Sequence, residues 1–102
     1  MNNTPFTKTR IKMLQATLEQ EKTNAEAIIA SSQETIERQQ NKLKTELQEL
    51  DADSEYKGEE REYRAKYIRM NAELYIIQQQ SEIEKQQKKL DYINAHLQTL
   101  SQ

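Results

Sequence analysis

A chain of 102 residues with 34% apolar and 31% charged side chains has room for one domain, and too little apolar material for a thick globular core. A net charge of only −2, with both signs interleaved, argues against a disordered tail, which usually carries a strong excess of one sign and few large aliphatics. The absence of cysteine excludes disulfides, thiol chemistry and Cys-based zinc sites.

In chain order, Thr4-Pro5 reads as a helix start, with Thr4 able to cap an orphan amide and Pro5 at the first helical position, where its missing N–H costs nothing. The first arm, about 5–50, carries Ile11, Leu14, Leu18, Ala25, Ile28/Ile29, Ile36, Leu43, Leu47 and Leu50 at steps of three, four or seven, which keeps one stripe on one helix face. Asp51-Ala52-Asp53-Ser54-Glu55 then gathers residues that favour turns and helix N-termini, and Gly58 follows, so the turn is expected within 51–58. The second arm, about 59–100, continues the spacing of Tyr56 through Tyr63, Tyr67, Met70, Leu74 and Ile77. Beyond them come Ile76, Ile83, Leu90, Ile93, Leu97 and Leu100, on a stripe displaced by one residue. There is no Val or Trp, and nowhere do β-branched and polar residues alternate as a half-buried strand requires.

The first arm changes phase at Ile28-Ile29 and the second at Ile76-Ile77. If the arms fold back antiparallel, matching these pairs gives facing residues a nearly constant number sum of 104 to 106 and a midpoint near residue 53. That register sets Leu43 opposite Tyr63, Ile36 opposite Met70 and Leu14 near Ile93. The expected fold is therefore all-α: a long two-helix antiparallel coiled-coil hairpin forming a single domain. A continuous helix pairing with a second chain is the competing arrangement, against which Gly58 and the acidic turn weigh.

With Tyr63, Met70, Leu74 and Ile77 assigned to the seam, Ala65, Ile68, Ala72, Tyr75 and Ile76 form a surplus stripe. Water contact there forgoes roughly 1.5–3 kcal/mol for each large side chain that could be fully buried. The expected partner-binding residues are accordingly Ile68, Ala72, Tyr75 and Ile76, and homodimerisation into a four-helix bundle is the favoured way to cover them. Polar residues are expected at the seam positions Gln33, Gln40, Ser81 and Glu84, where they set register or leave the arms loose.

No constellation in the sequence carries chemistry. His96 is the sole histidine, and Asp91 lies five residues away, off the i,i+4 face that metal pairs use. Gly58 stands alone, so there is no glycine-rich phosphate loop. Glu59, Glu60 and Glu62 suit a helix N-terminus, with Glu60 and Glu62 spaced to pair with Arg64 and Lys66. The basic groups Lys8-Arg10-Lys12, Arg61-Arg64-Lys66-Arg69 and Lys85-Lys88-Lys89 lie in a chain of pI about 5.5, and acids interrupt the second and flank the third, which disfavours nucleic acid. No stretch approaches the ~18 apolar residues of a membrane span, and Met1-Asn2-Asn3-Thr4-Pro5 has no basic region leading into an apolar one, so a soluble cytoplasmic protein is expected.

The function expected from these features is non-enzymatic and needs no metal or cofactor: an adaptor or chaperone-like component that binds another helical protein through an apolar stripe. A purely architectural homo-oligomer is the alternative, and a nucleic-acid or anionic-surface binder the least favoured.

Overall fold

The computed structural model describes residues 5–101, with the backbone alone described at Pro5 and Phe6. Two long helices, α1 (Pro5–Ala52) and α2 (Glu59–Ser101), pack against each other as a helical hairpin, and no strand occurs among the described residues. Pro5 opens α1, where its fixed φ suits a first helical turn. The expected cap Thr4 lies outside the described residues.

The turn is organised by Asp53. Its N–H donates to the Leu50 carbonyl at 3.2 Å, closing α1, and its carbonyl accepts from the Tyr56 N–H at 3.4 Å and from Arg61 Nη2 at 2.9 Å. Its side chain accepts the Glu55 N–H at 2.9 Å, the local bond that makes Asp a turn residue. Gly58 then takes φ of +59°, a left-handed conformation that costs an L side chain roughly 1 kcal/mol, and its carbonyl accepts from the Glu62 N–H at 3.1 Å. Glu59, Glu60 and Glu62 occupy the first turn of α2, where orphan amides favour acids. Neither Glu60–Arg64 nor Glu62–Lys66 forms an ion pair; the Arg64 guanidinium instead lies over the Tyr56 ring, 4.4 Å from its centre.

The chain divides into two compact units, one of Ser31–Glu82 and one joining the segment up to Ala30 to the segment from Ile83 onward. In the turn unit, α1 turns inward Ser32, Ile36, Gln39, Leu43, Glu46 and Leu50, and α2 turns inward Ala65, Ile68, Ala72, Ile76 and Gln79. In the terminal unit the inward residues are Ile11, Gln15, Leu18, Lys22, Ala25 and Ile29, facing a series from Ile83, Gln86, Leu90 and Ile93 to Leu97 and Leu100. These α1 positions alternate in steps of four and three, the spacing that holds a helix face on its neighbour.

Three expectations are corrected by this packing. The first is the phase change in α1. Ile29 is buried while Ile28 and Leu14 are exposed at 37% and 48%, so the inward series runs through Gln15, Lys22, Ser32, Gln39 and Glu46 without displacement. At all of them but Ser32 a long polar side chain holds the position, its methylene stem covering apolar surface while its head reaches water.

The second is the register. Leu43 and Gln39 line one groove with Ile68 and Ala72, and Glu21 Oε2 meets Lys89 Nζ at 2.8 Å. Leu43 thus lies across from Ile68, five residues further along α2 than Tyr63, and Met70 and Leu14 are exposed rather than matched with Ile36 and Ile93. The non-helical segment 53–58 places the midpoint of the hairpin later than residue 53. Small residues fix the register: Ala72 leaves room for the longer Gln39, and the Glu21–Lys89 alignment brings Ala25, fully buried, level with the buried Gln86.

The third is the polar layer. Gln33, Gln40, Ser81 and Glu84 are all exposed, and the polar residues that are buried are Ser32 and Gln86.

Candidate helix-docking face

Two helices in contact bury one face each, and α1 places most of its large apolar residues on that face. α2 has more. Its inward stripe at Ala65, Ile68, Ala72 and Ile76 comprises four of the five residues expected to be surplus, Tyr75 being exposed, and its outward face carries Tyr63, Tyr67, Met70, Leu74 and Ile77, the set expected to be the seam. These five are 74%, 56%, 48%, 54% and 55% exposed. Steps of four, three, four and three keep them in one row, and at 100° per residue that row lies roughly opposite the inward stripe.

Of the residues expected to bind a partner, Ala72 is buried, Ile68 and Ile76 are half-buried and Tyr75 is exposed. Ile68, Ala72 and Tyr75 line the same groove as Leu43 and Gln39 of α1. Covering by α1 is the physical reason that three of the four contribute little free surface; Tyr75 lies at the edge of that packing, with its ring partly in water.

The outward row was visible in the sequence as a helical stripe, and what misplaced it was the choice of face. Side-chain size holds the missing signal. The inward stripe of α2 carries Ala65 and Ala72 one heptad apart, and small residues there let two backbones approach, whereas Tyr63 and Tyr67 hold a neighbouring helix further off.

Geometrically the row has the four-three spacing that a helix could cover. Tyr63, Lys66, Tyr67 and Met70 surround one shallow hollow, and their spacing of i, i+3, i+4 and i+7 is that of the four residues that receive one side chain from a facing helix. A second hollow opens beside it between Tyr63, Arg64, Tyr67 and Ile68. Met70, Leu74 and Ile77 supply flexible or aliphatic contact area, and the tyrosines pair an apolar ring with a hydroxyl that tolerates water at the margin of an interface.

Among the described residues the terminal unit has no such row. Met13, Leu14 and Ile28 are exposed on α1, and the Tyr92 ring lies tilted against that of His96 one turn along, with centroids 4.4 Å apart. Lys8, Arg10 and Lys12 are exposed on α1. Among the described residues no three His, Asp or Glu side chains gather as a metal site needs, and no helix is long and apolar enough to cross a membrane.

Fold and face together define a class: a two-helix hairpin whose second helix presents an unpartnered apolar row on the side away from its own hairpin partner. Compared with protein-family models, curated proteins and solved structures, the chain matches none.

Proposed function

We propose that the chain is a non-enzymatic helical interaction component, an adaptor or chaperone-like part of a larger assembly, which binds an α-helix along Tyr63, Tyr67, Met70, Leu74 and Ile77. The observation that carries this reading is the exposure of five large apolar side chains in one continuous row. A row of that kind on a lone chain is a binding surface or an aggregation liability, and its four-three spacing matches what a helix can cover. Packing of α1 on the inward face of α2 holds the row in place, so the docking face is a preformed helix rather than a segment that orders on binding.

A photo-crosslinking residue placed at Met70 in the native host should form adducts with a helical protein that the same residue placed at Lys44, exposed on α1, does not form. The same adducts from both positions would sink the reading. Met70→Glu with Leu74→Glu should abolish the Met70-directed partner while leaving the helical content of the dilute chain unchanged by circular dichroism, since neither side chain is buried in the hairpin.

A further inference from the structure

The geometry points to a second copy of this chain as the occupant of the face: α2 packs on α2 of the other copy, antiparallel, offset so that Tyr67 of each meets Met70 of the other. The inference rests on the reading of the row as a helix-docking face and names what docks there.

Three features of the row carry it. The first is size. Its tyrosines lie at the N-terminal end and its slimmer Met70 and Leu74 toward the C-terminal end. Antiparallel pairing sets Tyr63 against Leu74 of the other copy and Tyr67 against Met70, so the four central layers each join one ring to one narrow side chain, while Ile77 at either end meets Glu60. Parallel pairing in register would stack ring on ring at one end and leave a thin contact at the other. It would also bring Glu60, which continues the row, onto Glu60 of the other copy.

The second is charge. Lys66 and Glu73 flank the row on the same side, one heptad apart, both exposed, and within the described chain neither has an ion-pair partner. In an antiparallel pair, flanking residues on the same side of the seam face each other. The Tyr67–Met70 offset therefore sets Lys66 of each copy beside Glu73 of the other, twice by symmetry. Sliding the pair to the next layer match, Met70 against Leu74, places Glu73 beside Glu73 instead. Like charges there disfavour that register.

The third is shape. The hollow bounded by Tyr63, Lys66, Tyr67 and Met70 sits where Met70 of the other copy arrives in this offset, so each copy supplies both the hole and the side chain that fills it. A surface that complements itself about a two-fold axis is the requirement for a closed dimer. With a short row, the contact falls below the ~800 Å² per partner of a standard stable interface, so the pair should exchange readily.

The chain contains no cysteine, which makes introduced thiols unambiguous. Tyr63→Cys and Leu74→Cys variants, mixed and oxidised, should give a mixed disulfide dimer, whereas each variant alone should remain uncross-linked. Lys66→Glu or Glu73→Lys alone should weaken the dimer by about tenfold in sedimentation equilibrium, and the double variant K66E/E73K should recover most of that loss. Self-linking of each single variant, without the mixed product, would overturn the antiparallel register while supporting the face as a helix site. A wild-type chain that stays monomeric at all concentrations, with a Met70 crosslinker still capturing a different helical protein, would overturn the second copy as occupant and leave the function proposed above standing. Monomeric behaviour together with crosslinks independent of the row would overturn both.

Discussion

Between Glu59 and Glu82, α2 carries large apolar side chains on two opposite faces, whereas from Ile83 to Leu100 it carries them almost entirely on one. Both stretches use the same helical spacing toward α1. They differ in what is left over: Tyr63, Tyr67, Met70, Leu74 and Ile77 in the first, and Tyr92, tilted against His96, in the second. A helix with one apolar face is satisfied by one neighbour, and a helix with two needs a second. The unit of Ser31–Glu82 is where the apolar row that α1 leaves uncovered resides.

The contrast is sharpest when the same side-chain type is removed from each face. Ile93, 3% exposed, should cost about 2–5 kcal/mol when changed to Ala, because it leaves a cavity that the hairpin can only partly close. Ile77, 55% exposed, should cost the dilute chain no more than about 0.5 kcal/mol for the same change. Chemical denaturation at low protein concentration measures both, and equal losses would break the assignment of faces. Next in size is Ala72→Leu, expected to cost about 1–3 kcal/mol by overfilling the site where α2 lies close to Gln39, a penalty that the exposed Asn71→Leu should not show.

Smaller effects probe the two ends of the comparison. Gly58→Ala should cost about 1 kcal/mol through its left-handed φ alone, since nothing lies within 4 Å of an added Cβ. The smallest belongs to the Glu21–Lys89 pair of the terminal unit. Its side chains are 44% and 45% exposed, so Lys89→Ala should cost less than about 1 kcal/mol, and thermal melts should show the difference shrinking as salt is added.

The outward row of α2 shows how a pattern can be legible while its meaning is not. Both stripes of α2 have helical spacing in the sequence, and the larger side chains made the outward one resemble a core. Burial follows from what the opposite helix can accept. Ala65 and Ala72 admit α1 closely, with Gln39 and Leu43 seated around Ala72 and Ile68, and that close approach excludes the tyrosines. The same reasoning explains α1, where Gln15, Lys22, Gln39 and Glu46 keep the inward series in step although none is apolar. A reading that counted only apolar residues had to jump to Leu14 and Ile28 and so inferred a phase change that the packed helix does not have.

By itself the sequence determined the all-α hairpin, because helix-forming residues at helical spacing on both sides of Asp53, Ser54 and Gly58 leave the chain few other local solutions. Those are short-range effects, carried by propensity, by one Asx bond and by one left-handed glycine. Only the tertiary structure decided which face of α2 lies inside and which residues meet across the arms. Both depend on the fit of side-chain volumes between segments far apart in the chain, where a difference as small as Ala72 against Tyr67 selects the face that can be closed.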